Sequence, residues 1–288
     1  MAGSLKAIRK RITSVRNTQQ VTKAMKMVSA AKLRRAQERA ETARAYDEKL
    51  SEVLARVLAG VRGIDHPLLR GGGEGPPHVV LVTADRGLCG GYNANLVRLA
   101  EQFLASPEGS GATLTVCGRR GRDYFRRRGA KIVSEHVNLG REFDLALARE
   151  IVGDVLGRFE RGEAGSIHIV YSQFRSALSQ QPRIDRLLPV EAPAAEDEQA
   201  ALREYLFEPS PAELLASLLP RYVETRVYRA LLEASASEHG ARMTAMDNAT
   251  RNASEMIDRL TLAMNRARQA GITTELMEIV GGAEALKG

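Results

Sequence analysis

The sequence predicts an α/β protein in which a Rossmann-like domain with a mostly parallel sheet sits between two long helices that pair as an antiparallel coiled coil. Three observations carry this. Ser4 to Ala59 contains neither Gly nor Pro, and Arg221 to Val280 is interrupted only by Gly240 and Gly271. Between these segments, short Val- and Ile-rich runs alternate with helical ones, as expected for a parallel sheet with crossover helices. Finally, the C-terminal segment repeats apolar or small residues every 3.5 positions, the period of a coiled-coil seam.

The N-terminal helix is expected over residues 1–60. At 1.5 Å per residue the Gly- and Pro-free stretch alone would span roughly 84 Å. A compact chain of this length would have a radius of gyration of only about 19 Å, so the helix should project from the folded middle. Its apolar stripe reads Ile8, Ile12, Val15, then Val21, Met25 and Val28, interrupted by Asn17–Thr18–Gln19–Gln20. A Gly/Pro-rich linker is expected over 61–77. In the middle domain, 78–191, strands are expected at His78–Ala84, Thr113–Gly118, Ala130–Val137 and Ser166–Phe174. Helices fall near Asn93–Leu104, Arg119–Arg128 and Glu142–Phe159. Arg183–Glu191 adds a possible edge strand limited by Pro182 and Pro189. An acidic, Ala-rich linker, 192–209, leads to the last helical segment, 210–288. Ser210 and Glu213 form a capping box with Pro211 at the first helical position, and Pro220 is expected to kink or split the helix. The seam then runs Met243, Met246, Thr250, Ala253, Ile257, Leu260, Met264, Ala267 and Gly271.

Aromatic residues make up 5% of the 288 positions and Trp is absent, a supply suited to a modest domain plus an Ala- and Met-rich helix pair. No run approaches the ~20 apolar residues of a membrane span. The start of the chain has no signal core, and Cys89 and Cys117 make no disulfide framework, so a reducing compartment is expected. The net charge of +7 is concentrated: residues 1–60 hold 14 Lys/Arg against 5 Asp/Glu, leaving −2 for the rest. The N-terminal helix therefore calls for an acidic partner.

The chemistry-bearing motifs are sparse. Gly87-Leu-Cys-Gly-Gly91 follows the first strand as a phosphate loop would. It lacks both the Lys-Ser/Thr of a P-loop and the spacing of G-x-G-x-x-G, so a structural or partner-contact turn is preferred. The five histidines have no ligand spacing, and no nucleophile elbow or metalloprotease motif occurs. No catalytic residue, cofactor or metal is expected. Arg119–Arg128 packs six arginines around Tyr124 and Phe125. It reads either as a nucleic-acid contact or as a solvated helix face over two buried aromatics, and the second reading is preferred.

The strings IRKRITSVRNTQQVTKAMKMVSAAKLRRAQ (Ile8–Gln37) and DRGLCGGYN (Asp85–Asn93), with the run from Ser237 to Leu286, closely resemble the gamma-subunit family of bacterial F-type ATP synthases. The resemblance covers essentially the whole chain. It implies a non-catalytic rotating shaft, peripheral to the cytoplasmic face of the bacterial inner membrane. Its partners would be the alpha and beta subunits, epsilon and the c ring, with no nucleic acid. On the family's pattern, Lys23, Met25, Lys26, Lys32, Arg34 and Arg35, and the loop residues Asp85, Arg86, Leu88 and Cys89, would face the acidic levers of beta. Arg268 and Gln269 would meet a beta catch loop, and Tyr205 and Glu208 would face the c ring and epsilon. No cysteine-bearing insertion of the plastid type is present, so thiol regulation is not expected. A nucleic-acid or cytoskeletal scaffold using the basic helix is the competing reading.

Overall fold

A computed structural model describes residues 2–60, 66–70, 73–138, 143–191 and 210–285. In chain order the elements are α1 (Ala2–Gly60), β1 (Pro77–Val82), α2 (Tyr92–Leu104), β2 (Thr113–Cys117), α3 (Arg119–Arg127), β3 (Ile132–His136), α4 (Leu145–Glu160), β4 (Ser166–Phe174), β5 (Gln180–Leu188) and α5 (Pro211–Ala285). The chain divides into two compact units, Met1–Val28 with Met243–Gly288, and Ser29–Arg242.

The first unit is an antiparallel pair formed by the outer parts of α1 and α5. On α5 the least exposed positions are those of the expected seam, Met243 to Gly271. On α1 the seam departs from the expected stripe: Val21 and Val28 are 58% and 57% exposed. The 3.5-residue period instead continues unbroken through the polar run, with Ile8, Ile12, Val15, Gln19, Thr22 and Lys26 turned toward the pair. Polar seam residues are tolerated because the partner helix answers them. Gln19 Nε2 donates to Ser254 Oγ at 2.6 Å, Thr22 Oγ1 lies 2.8 Å from Thr250 Oγ1, and Lys26 Nζ lies 2.5 Å from Asp247 Oδ1.

The second unit is built on a five-stranded sheet of order β3-β2-β1-β4-β5. All neighbours are parallel except β5, which runs antiparallel to β4. β5 begins at Gln180 and passes through Pro182, which pairs with Ser172, so this proline does not limit the strand as expected. An edge strand accepts a proline whose missing N–H would have faced away from the ladder. α2 and α3 cover one face of the sheet, burying Leu96, Ala100 and Phe125 against Val79, Leu81, Leu114 and Val116. On the other face α4 is joined by the long helices: Leu54 and Val57 of α1, and Leu215, Leu219, Tyr222, Val223 and Val227 of α5, pack with Val80, Val82, Ile167 and Ile169. Full burial of such a side chain is worth about 1.5–3 kcal/mol. This core explains why α5 is continuous through Pro220: the lost backbone hydrogen bond is offset by buried residues on both sides of it. Ser210 Oγ accepts from the Glu213 N–H at 3.3 Å, fixing the helix start. In the second unit α1 again buries every third or fourth residue, at Ser29, Leu33, Ala36, Ala40, Ala43 and Asp47.

Candidate functional site

The chain leaves β1 toward β2 but comes back to β1's other side as β4. In doubly wound sheets ligands bind beyond the strand ends at such a reversal, and the loop after β1 lies there. Thr83 N–H donates to Cys117 O at 2.8 Å, and its hydroxyl accepts from Gly121 N–H at 2.9 Å. Asp85 Oδ1 accepts from the N–H groups of Arg119 (2.9 Å) and Asn138 (3.1 Å). It thereby caps α3, whose N-cap is a glycine with no side-chain cap bond. Asn93 Oδ1 accepts from Ala84 N–H at 2.9 Å while its Nδ2 donates to Cys89 Sγ at 3.2 Å. Cys89 is 1% exposed, and burial raises its thiol pKa. Leu88 takes a left-handed φ of 63° and is 64% exposed. The loop thus turns Asp85 and Cys89 inward, and Arg86 and Leu88 outward.

The crevice itself is taken by the protein's own helix. Tyr92 hydroxyl donates to Ala234 O at 3.2 Å, and Ser237 hydroxyl donates to Ser172 O at 2.9 Å. Arg242 donates to Glu238 at 2.7 Å and to Gly87 O at 3.4 Å. The stretch of α5 from Ala234 to Arg242 therefore lies across the ends of β1 and β4, where ligands bind in open doubly wound sheets. Burial raises the pKa of Glu238 against the pull of Arg242. Burial, reinforced by Arg242 and Lys32, pushes His239 down to about 4.

A buried ion network fastens α1 to α5 within this unit. Arg229 bridges Asp47 and Glu233, and Arg44 meets Glu233 at 3.1 Å and Phe174 O at 3.3 Å. Asp47 and Glu233 are 2% and 0% exposed. Burial works against the charge of Arg229, but the two carboxylates hold its pKa above the ordinary value. Sequence reading missed this network. The only signal is the i,i+4 spacing of Arg229 with Glu233 on α5.

Of the residues singled out in the sequence, Lys23, Lys32, Arg34 and Arg35 are exposed on α1, and Met25 is half-buried. Lys26 is engaged by Asp247, and Arg34 pairs with Glu38 at 3.2 Å. Arg268 and Gln269 are exposed on α5. Tyr205 and Glu208 lie outside the described residues.

Fold and site together define a coiled-coil protein with an α/β domain whose ligand crevice is filled from within. Residues 4–286 match the family model described as ATP synthase. The ATP synthase gamma chains of Pelotomaculum thermopropionicum and Symbiobacterium thermophilum are each 51% identical, the first covering 99% of both chains and the second 100% of both. A chain of the Euglena gracilis mitochondrial ATP synthase, solved with OSCP, F1 and the c ring, shares the fold with a TM-score of 0.74 at 21% identity, over 99% of this chain and 95% of that one. A central-stalk chain of the Tetrahymena thermophila mitochondrial enzyme aligns over 80% of this chain and 99% of that one, with a TM-score of 0.59 and 27% identity. The chain belongs to the ATP synthase gamma chain family.

Proposed function

We propose that this chain is the central rotor shaft of a bacterial F-type ATP synthase. It couples proton flow through the c ring to nucleotide chemistry performed by the alpha and beta subunits, and carries no catalytic site itself. Beside the full-length family match, one observation carries the reading. Apolar residues stay exposed on the helix pair of the first unit although its seam is already made, with Val21, Met27 and Val28 of α1 57–61% exposed, and the end of α5 that runs past the start of α1 adds Ile272, Leu276, Met277, Ile279 and Val280, 47–68% exposed. Apolar surface on this scale marks a covered surface, and a surrounding ring of subunits would cover it. No described helix is long and apolar enough to cross a membrane; in this reading the chain attaches peripherally, at the cytoplasmic face, through the complex. The reading as a nucleic-acid or cytoskeletal scaffold finds no support, since the basic helix is already paired.

In this reading Lys23, Met25, Lys32, Arg34 and Arg35, with Arg86 and Leu88 of the loop, meet acidic levers of beta. Asp85 and Cys89 hold the loop in shape, Lys26 shares its charge with Asp247, and Tyr205 and Glu208 face the c ring and epsilon. An exposed ion pair is worth only about 0–1 kcal/mol, so such contacts form and release with little barrier. Met25→Lys should impair coupling more than removal of any one charge, because it sets a cation at a packed moving contact. Arg268 and Gln269 act as a catch on a beta loop. The test reconstitutes Arg268→Ala with Gln269→Ala in the presence of wild-type alpha and beta. Assembly or proton-coupled synthesis should weaken while single-site nucleotide hydrolysis persists. Loss of single-site hydrolysis with assembly normal would overturn the mechanical role.

A further inference from the structure

The ion network that joins α1 to α5 is poorly built for stability alone. Asp47 Oδ1 and Glu233 Oε2 are buried and meet no hydrogen-bond partner among the described residues. A buried ion pair is often no better than apolar side chains filling the same volume, and its best-attested use is to fix one arrangement of the elements that carry it. Arg229 of α5 bridges Asp47 of α1 and Glu233 of its own helix. Arg44 of α1 donates to Glu233 at 3.1 Å and to Phe174 O, at the end of β4, at 3.3 Å. Arg39 of α1 donates to the Tyr228 hydroxyl of α5 at 3.3 Å and to Phe143 O, just before α4, at 2.7 Å. Around these contacts the apolar packing between the two helices is made by Ala40, Ala43 and Leu232. Alanines raise no ridge for a facing helix to engage, so this packing resists separation better than it resists sliding or twisting. Charge-assisted hydrogen bonds are directional and resist both.

We propose that Asp47, Arg229, Glu233 and Arg44 form a torsional lock through which torque passes between the α/β domain and the two long helices. The proposal rests on the shaft reading and names the positioning residues on which that reading depends. Both α1 and α5 run from this unit into the helix pair. Torque exchanged between the c ring and the alpha and beta subunits therefore crosses the junction of these helices with the sheet. The network holds α1, α5 and β4 at one mutual angle while that load is applied. Without it the helices stay packed on the sheet through Leu54, Val57, Leu219 and Val223, but they turn within the domain under load.

A lock and a merely structural network respond differently to replacement. In the triple variant Asp47→Val, Arg229→Met, Glu233→Met the buried charges give way together to apolar side chains, and the free chain should keep or raise its urea midpoint. Reconstituted in vesicles with alpha, beta, epsilon and the membrane sector, this variant should hydrolyse ATP as fast as wild type yet pump fewer protons per ATP. The shortfall should widen as the opposing proton gradient is raised, because the junction then bears more torque. Arg44 is half-exposed, and Arg44→Lys keeps the charge but not the fork. It should show a smaller shortfall of the same kind, and it decides the matter if the triple variant does not fold. Arg149→Gln breaks the exposed pair with Glu224 of α5 and should pump as wild type does; an equal shortfall there overturns the assignment. Wild-type pumping per ATP at every gradient, in the triple variant or in Arg44→Lys where the triple does not fold, overturns the lock. So does a loss of pumping matched by an equal loss of hydrolysis and independent of the gradient, the mark of failed assembly. Failure of the wild-type chain to support ATP-driven pumping in the same vesicles would instead overturn the shaft reading.

Discussion

Thr22 and Thr250 face each other across the seam of the helix pair with their hydroxyl oxygens 2.8 Å apart. Each also donates back to its own helix, Thr22 to Gln19 O at 3.0 Å and Thr250 to Met246 O at 2.7 Å. Two protons cannot serve three contacts fully, so the cross-helix bond is shared and each hydroxyl keeps a partner when the other is removed. Thr22→Val alone should cost less than about 1 kcal/mol, and Thr22→Val with Thr250→Val should be neutral or stabilising, since both partners are replaced by apolar groups of the same shape. Urea titration followed by circular dichroism measures this. A loss above about 2 kcal/mol in the double variant would show that the hydroxyl pair stabilises the seam outright.

The ion network of the second unit should behave in the opposite way. Asp47 is 2% exposed and Arg229 17%. Breaking a buried pair costs about 3–5 kcal/mol, because it strands the remaining charge. We expect Asp47→Ala to destabilise the chain on that scale, lessened by the contact Arg229 keeps with Glu233. Arg34→Ala should change stability by less than about 0.5 kcal/mol, since Arg34 is 84% exposed in its pair with Glu38. Equal denaturation midpoints for the two variants would refute the contrast.

Stability should fall on acidification between pH 6.5 and about 4. His78 lies fully buried between the hydroxyls of Thr113 (2.7 Å) and Thr115 (3.0 Å), and burial, with the nearby Arg158 charge, lowers its pKa from 6.5 to about 4. His239 is shifted the same way. In this window the unfolded chain binds protons that the folded chain refuses, so the stability present above pH 6.5 is lost as pH falls toward 4. The His78 share is about 3 kcal/mol by pH 4. His78→Gln should be less stable at pH 7 yet show a shallower acid slope in urea midpoints measured from pH 7 to 4. An unchanged slope would mean that His78 does not titrate in this range.

Two glycines should respond with opposite signs. Gly118 has φ of 98°, and a Cβ there would fall 2.1 Å from Thr83 O. Gly118→Ala should therefore destabilise the domain by at least about 2 kcal/mol, through strained backbone and the loss of tight strand-to-helix packing. Gly153 lies exposed inside α4 with nothing near its missing Cβ. Gly153→Ala should stabilise by about 0.5–1 kcal/mol. Differential scanning calorimetry reads both, and a rise in Tm for Gly118→Ala would contradict the packing described.

Much of the fold is legible from local pattern. The strands follow from short Val- and Ile-rich runs buried on both faces, and the helices between them and the seam from Met243 to Gly271 from helical repeats, signals a chain carries whatever it packs against. The α1 side is less legible. Counting apolar residues selects Val21 and Val28, whereas the pair keeps its register through Gln19 and Thr22 because Ser254 and Thr250, more than two hundred residues away, satisfy them. Pro182 misleads for a related reason: its tolerance depends on β5 being an edge strand, which only the strand order reveals.

The sequence by itself determined the type of each element, the concentration of positive charge on α1 and the seam of α5 from Met243 to Gly271, which leaves Arg268 and Gln269 outside it. Only the tertiary structure decided that Cys89 and Asp85 turn inward while Leu88 turns out. It also decided that Asp47 and Glu233 are buried, and that α5 lies across the strand ends where doubly wound sheets take ligands. The division has a physical cause. Periodicity and propensity act over a few residues, but burying a polar group depends on whether a distant segment brings it a partner.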